Sequence, residues 1–322
     1  MSTKAPVVSI VIVCMNRLDN LYPCLSGIEK HCSLPQETFV VAYLFSEDNL
    51  KQARRDFPWV KFIESTEIRG FSENNNLAMR QAQGRYCFVL NDDTLMKEDT
   101  IARLVSDIEK LPESTAIVSP KLLNEDGSLQ LCGRPVYPAR KYLLQQWHCY
   151  KEPINNIVGL QPVFDQVYKT YNITGAAFLI KTDVFKELGF FDERYFFTPE
   201  DLALSTLARG RGYDLYVDAD ATIVHLWRTT ASKISTAVRP AAVRGSLIFF
   251  SEGRRLKYLL LAAGVFAAEA LKCAKAALRY TFAPSEVNKI KLQTFAHICA
   301  AILSCRSPKE LFVKYYKRLR HA

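Results

Sequence analysis

The chain has 322 residues, 49% of them hydrophobic and 23% charged, which excludes a largely disordered chain and allows one large domain or a domain with an appendage. Its net charge of +9 is uneven: residues 238–322 carry 16 Lys and Arg against 4 Asp and Glu, whereas the first 237 carry 26 against 29. All the excess positive charge therefore lies in the last quarter, which is either a solvated basic tail or a surface for an anionic partner, membrane or nucleic acid.

In chain order, "VVSIVIV" at residues 7–13 predicts a strand buried on both faces. The segment from Asn16 to Cys32 places Leu18, Leu21, Leu25 and Ile28 at helical spacing. "TFVVAYLF" and "VKFIES" predict two more strands, "NNNLAMRQAQG" a helix ending at Gly84, "RYCFVL" a fourth strand, "EDTIARLVSDIEKL" a helix and "TAIVSP" a fifth strand. Such alternation predicts an α/β layer with a mostly parallel sheet, which binds ligands beyond the C-terminal strand ends.

From Leu122 to Tyr171 the pattern loosens into a loop-rich insertion expected beside a substrate. "ITGAAFLIKTDVFKELG" restores strand and helix, "FTPEDLALSTLARGRGY" a capped helix, and "YDLYVDADATIVHLW" closing strands. Past Ser235 the chain turns rich in Ala, Leu and Lys, which divides it at 1–235 and 236–322. The longest uncharged apolar run there, Tyr258 to Ala268, is too short to span a bilayer. In one helix over 254–279, the basic residues Arg254, Lys257, Lys272, Lys275 and Arg279 would share an arc of about 60°. That pattern fits a helix lying in a membrane interface, or a helix packed on the domain with a basic outer stripe. Nine cysteines without a C-x-x-C pair, and no signal peptide ahead of the first strand, favour a reducing cytoplasm.

Three features bear chemistry. Asp92 and Asp93 follow a buried strand, where adjacent carboxylates repel unless a cation or proton compensates. They would hold Mg²⁺ or Mn²⁺ against a pyrophosphate, or one of them would cap the next helix. With Thr198 as N-cap and Pro199 at the first helical position, Glu200 and Asp201 are first-turn acids of a helix, or present a general base there. His225 is a strand histidine, structural or a further metal ligand.

Taken together, residues 7–232 resemble the family 2 glycosyltransferases of GT-A fold, particularly the bacterial rhamnosyltransferase-like branch. The resemblance rests on "VSIVIVCMNR", "RGFSENNNLAMRQAQGRYCFVLNDDT", "VSPKLLNEDGSLQ", "ITGAAFLIKTDVFKELGFFDERYF", "PEDLALSTLARGRGY" and the His of "IVHLW", in that order. It implies an α/β GT-A domain with a helical C-terminal extension. It also implies inverting sugar transfer from a nucleotide-diphosphate sugar to a saccharide or lipid-linked acceptor in surface polysaccharide synthesis. A rhamnosyl donor is the first expectation.

On this resemblance Asp93, with Asp92 and His225, would bind a divalent metal. Asp201 would be the base and Glu200 would orient it or the acceptor. Cys14, Asn16, Arg17, Asn75, Asn76, Asp92 and Gly175 would line the donor site, with Asn75 and Asn76 equally able to hold the loop. The sequence departs from the family where an acid usually ends the second strand. Ser46, Glu47 or Asp48 would substitute there. Ala78 and Ala203 stand where glycine and a second Asp are common. The basic helices would seat the chain peripherally on the inner face of the cell membrane, on anionic lipid rather than nucleic acid. The competing reading is a catalytically silent GT-A-like module docking on membrane. A nucleotidyltransferase lacks its early glycine-rich phosphate loop.

Overall fold

The computed structural model describes residues 5–154, 160–227 and 234–320. In β1 (Val8–Cys14) alternate side chains enter two different cores. Val8, Ile10, Ile12 and Cys14 face one, and Val11 and Val13 face the other, which is why the run is apolar throughout. Then follow α1 (Leu18–His31), β2 (Gln36–Tyr43), α2 (Glu47–Asp56), β3 (Val60–Ser65), α3 (Phe71–Met79), β4 (Tyr86–Asn91), β5 (Thr94–Leu95), α4 (Thr100–Lys110) and β6 (Thr115–Leu123). After β6 come α5 (Ala139–Gln146), β7 (Val167–Thr170), β8 (Ala177–Lys181), α6 (Thr182–Glu187), α7 (Glu200–Gly210) and β9 (Asp214–His225). The chain ends in α8 (Ser235–Ser251), α9 (Arg255–Phe282), α10 (Glu286–Ile302) and α11 (Pro308–Arg320).

The nine strands form one sheet in the order β3-β2-β1-β4-β8-β6-β9-β5, with β7 also on β9. β3, β2, β1 and β4 are parallel, as expected. Beyond β4 the sheet is mixed, because β8 runs antiparallel to both β4 and β6 while β6 and β9 are parallel. One face is covered by Leu21, Leu25 and Ile28 of α1 and Ile101, Leu104 and Ile108 of α4. The other is covered by Ala78 and Met79 of α3, Phe185 of α6 and Leu204 and Ala208 of α7.

The structure changes four expectations. The segment after β2 is helical: Ser46 caps α2 by accepting from the Asn49 N–H at 3.3 Å, acids fill the first turn, and Arg54 and Arg55 the last. α3 ends at Met79, five residues before Gly84. Gly84 is demanded by packing instead, since a Cβ there would lie 2.5 Å from the Ser9 nitrogen. The insertion contributes β7, which bonds to the edge of β9, and its residues 155–159 lie outside the described residues. α7 begins at Glu200, so Thr198 lies outside the capping position, and the Thr198–Pro199 bond is cis.

Two compact units divide the chain. One comprises Met1–Val136, Pro153–Asp192 and Glu200–Arg228, and contains the sheet. The other comprises Tyr137–Glu152, Glu193–Pro199 and Thr229–Ala322. Aromatic pairs organise this second unit: Tyr142 stacks on Phe250 at 4.7 Å, Phe196 on Phe312 at 4.4 Å and His297 on Tyr315 at 3.9 Å. α9 sits against α5 where Gly264 leaves room for Leu143, and the Trp147 indole donates to the Gly264 carbonyl at 3.2 Å.

Candidate active site

The C-terminal end of β4 is where the candidate residues gather. β5 leaves the Asp92–Asp93 turn and pairs Thr94 with His225 of β9, while Leu226 N–H donates to the Asp93 carbonyl at 2.9 Å. This pairing brings two residues 132 positions apart into contact: His225 Nε2 lies 3.2 Å from Asp93 Oδ1, both side chains about 5% exposed. Asp93 Oδ2 and His225 Nε2 have no hydrogen-bond partner. The other ring nitrogen, Nδ1, lies 2.9 Å from Gln130 Oε1. Trp227 flanks the imidazole with ring centres 4.9 Å apart.

Asp92 has a different neighbour. Its carboxyl lies near the Cys14 thiol at the end of β1, which donates to the Arg17 carbonyl at 3.5 Å. Burial pushes Asp92 up to about 7; the Cys14 hydrogen bond and Arg17 act the other way, and the Asp93 charge adds to the rise. Burial, followed by the Asp92 charge, also holds the Cys14 thiol well above the usual thiol range. Arg17 forks onto Asp19 at 2.8 and 2.5 Å. Asn16 adopts a left-handed conformation, which asparagine tolerates, and its Oδ1 accepts from Ser46 N–H at 3.1 Å and Asn49 Nδ2 at 2.9 Å. The β1–α1 turn is thereby tied to the start of α2. Ser46 is occupied as the α2 cap, Glu47 pairs with Lys51, and Asp48 is exposed.

The second acidic pair meets the same strand end through β8. Asn91 N–H donates to the Ala176 carbonyl at 2.9 Å, and the neighbouring Gly175 N–H donates to Asp201 Oδ2 at 3.3 Å. Asp201 Oδ1 accepts from Leu202 N–H at 2.7 Å. The carboxylate is thus gripped by backbone donors at the N-terminus of α7, whose dipole favours a negative charge. A Cβ on Gly175 would lie 3.6 Å from the Asp201 Cβ, an ordinary contact distance, so packing against Asp201 does not by itself demand glycine. Glu200, beside Asp201, is buried.

Asn75 and Asn76 are spent internally. Asn75 Nδ2 donates to the Phe71 carbonyl, and Asn76 clamps Phe191 by donating to its carbonyl at 2.9 Å and accepting its N–H at 3.1 Å. That clamp joins α3 to the segment after α6.

Two neighbours of the site escape sequence reasoning. Arg134 Nη1 stands 3.8 Å from Asp201 Oδ2 and opposes its charge; an isolated "CGRP" in an irregular segment carries no signal for that role. Gln130 had a signal, since it ends the quoted "NEDGSLQ", but no periodicity connects it with His225.

Among the described residues, no group of three or more His, Cys, Asp and Glu is arranged to hold a metal. Asp93 and His225 nevertheless suit a hard divalent cation as a two-ligand protein contribution. Both offer buried lone pairs without a hydrogen-bond partner, and such ions commonly complete their shell with substrate phosphate and water.

Comparison with known proteins agrees with the fold. The glycosyl transferase family 2 profile matches residues 9–189, more than half of the chain. The O-antigen biosynthesis protein RfbC of Myxococcus xanthus is 24% identical over 250 residues, which cover 73% of this chain and 18% of that protein. The poly-beta-1,6-N-acetyl-D-glucosamine synthase of Staphylococcus epidermidis is 22% identical over 202 residues, covering 62% of this chain and 44% of that one. The chain spans less than half the length of either relative.

Among solved structures, GalNAc-T7 with UDP, GalNAc and Mn²⁺ superposes with a TM-score of 0.56 at 18% identity, over 70% of this chain and 44% of its own. The mannosyltransferase PcManGT of Pyrobaculum calidifontis, in complex with GDP-Man and Mn²⁺, gives 0.51 at 16% identity, over 93% and 86%. With a GT-A sheet, the acidic turn after β4 and the profile match over 9–189, the chain belongs to glycosyl transferase family 2.

Proposed function

We propose that this chain is an inverting, metal-dependent glycosyltransferase that moves a hexose from a nucleotide-diphosphate sugar to a saccharide or lipid-linked acceptor in surface polysaccharide synthesis. Rhamnose is the first donor to test. The observation that carries the reading is the convergence of Asp93 and His225 at the end of β4, with Asp201 tied to the same strand end through Gly175, Ala176 and Asn91.

Asp93 Oδ and His225 Nε2 would hold Mg²⁺ or Mn²⁺, with Asp92 beside them. When bound, the cation supplies positive charge to the donor pyrophosphate and to the leaving nucleotide diphosphate. Asp201 takes the proton of the acceptor hydroxyl as that oxygen attacks the anomeric carbon from the face opposite the leaving group. The geometry parallels that of inverting glycosidases. Two backbone N–H donors fix the carboxylate's direction, so it meets the hydroxyl without reorienting. Glu200 orients the base or the acceptor. Cys14, Asn16 and Arg17 shape the donor side at the end of β1, and one of Ser46, Glu47 and Asp48 reads the nucleobase from the start of α2.

The C-terminal helices would dock the enzyme on the inner membrane face, where a lipid-linked acceptor lies. No helix among the described residues is long and apolar enough to cross a membrane. On α9, however, Leu256, Leu260, Leu271, Leu278 and Phe282 are all exposed, Leu256 by 70% and Phe282 by 84%. At 100° per residue they share an arc of about 80°, and the exposed Lys275 and Arg279 follow along one edge. An apolar stripe bordered by cations fits an anionic bilayer surface.

Turnover of a panel of pyrimidine- and purine-diphosphate sugars, with and without Mn²⁺, tests the activity. Metal-stimulated release of nucleotide diphosphate is the expected result. No turnover of any donor, with vesicle binding retained, would sink the enzymatic reading in favour of a silent docking module.

A further inference from the structure

The "NEDGSLQ" segment belongs to the family resemblance, yet none of its residues has a part in the scheme above. The structure gives it one. After β6 the chain turns tightly: Asn124 N–H donates to the Ser128 carbonyl at 2.7 Å, and Gly127 takes the left-handed conformation the turn requires. Asp126 accepts from Ser128 N–H and Oγ at 2.9 and 2.6 Å. Asn124 Nδ2 donates to Ser128 Oγ at 2.9 Å, which leaves its Oδ1 facing Gln130.

Gln130 is buried, and its amide can lie only one way round. Nε2 has three acceptors: Asn124 Oδ1 at 2.8 Å, the His225 carbonyl at 2.5 Å and the Leu123 carbonyl at 3.3 Å. Turning the amide over would set its oxygen against those three oxygens. Oε1 is therefore the atom facing His225 Nδ1 at 2.9 Å. A carboxamide oxygen only accepts, so Nδ1 carries the hydrogen and, in the neutral imidazole, Nε2 is a bare lone pair. That lone pair looks at Asp93 Oδ1 across 3.2 Å with no hydrogen bond between them. Two electron-pair donors held this close, without a shared hydrogen, are arranged to meet a cation.

We infer that Gln130 is a positioning residue that selects the Nδ1–H form of His225 and aims Nε2, with Asp93, at the divalent cation. The Asn124–Ser128 turn fixes the direction of the Gln130 amide. In this way a surface turn is coupled to the ligand pair, as outer hydrogen-bond partners commonly orient metal-binding histidines.

The inference rests on the metal reading above, and the test separates the two. In the metal-free full-length chain, ¹⁵N-histidine long-range correlation spectra, assigned with His225→Gln, should show His225 in the Nδ1–H form. Gln130→Leu should abolish that signature and weaken Mn²⁺ binding, followed by electron paramagnetic resonance of the free ion, by 10-fold or more. Circular dichroism checks that the variant is folded, and the wild-type tautomer spectrum alone decides if the leucine variant does not fold. His225 found in the Nε2–H form in the wild type, or unchanged tautomer and affinity in Gln130→Leu, would overturn the assignment. Absence of Mn²⁺ binding to the wild-type chain, alone or with a nucleotide diphosphate, would instead overturn the metal reading, and the tautomer spectra would still decide the part played by Gln130.

Discussion

Asp93 Oδ2 and His225 Nε2 are expensive atoms to bury without a hydrogen-bond partner, and something else must compensate them. With a divalent cation as that compensation, Asp93→Asn should lower Mn²⁺ affinity at least 10-fold by removing the ionised ligand, measurable by calorimetry. Asp201 differs, because each of its carboxylate oxygens already accepts from a backbone N–H, that of Gly175 or of Leu202. Asp201→Asn preserves size and should cut transfer by about 100-fold or more while leaving the donor dissociation constant unchanged. An equal loss of donor binding would show that Asp201 does more than take a proton.

At the scale of elements, β4 and the turn before it show how little freedom the sheet leaves. Gly84 N–H donates to Ser9 Oγ at 2.9 Å, and the same hydroxyl donates to Glu37 at 2.6 Å, so β1, β2 and the approach to β4 are linked. A methyl at Gly84 would strike the backbone of Val8 and Ser9, which cannot swing aside. Gly84→Ala should therefore destabilise by about 1–3 kcal/mol in urea unfolding, although alanine is the better helix former and residue 84 looked like a helix end from sequence. Helix α9 makes the opposite point. Its buried face, Leu261, Val265 and Ala268, is satisfied, while the leucine stripe is exposed. Changing Leu256, Leu260 and Phe282 together to Glu should abolish co-sedimentation with phosphatidylglycerol-rich vesicles without loss of fold. Unchanged sedimentation would reject the membrane-facing role.

For the molecule as a whole, Asp107 adds to the pH dependence of stability that the raised Asp92 carboxyl also gives. Asp107 on α4 is pushed up to about 7 by burial, then by its hydrogen bond to Asp218 and that residue's charge; Arg103 and Lys110 pull the other way. Arg103 also bridges to Asp218 and Asp220 of β9. A carboxyl whose folded value lies above its unfolded one binds more protons when folded. Stability should thus fall as pH rises from about 4 through about 7, and stay reduced above that. Asp107→Asn should flatten this slope and stabilise the protein at pH 8 by on the order of 1–2 kcal/mol, after allowance for solvent screening. Thermal unfolding at pH 5 and pH 8 provides the comparison.

Local patterns were enough for the parallel strands and for α1 and α4, and for the helical character of the region past Ser235. A doubly buried strand and an amphipathic helix each write their period into neighbouring residues. The same local reading had the signal for α2 in Ser46, its following acids and the terminal arginines, but took "SEDN" only as a source of ligands. Composition and motif order also marked Asp93, Asp201 and His225 as candidates. Their relationship came from nonlocal pairing. β5 against β9 brings His225 to Asp93, β4 against β8 links Asn91 with the Gly175 contact to Asp201, and a turn after β6 delivers Gln130. No residue records its cross-strand partner in its own neighbourhood. Sequence thus set out the chemical groups, and tertiary structure decided that Asp93 pairs with His225, that Asp92 turns to Cys14, and that Asn76 is a clamp on Phe191.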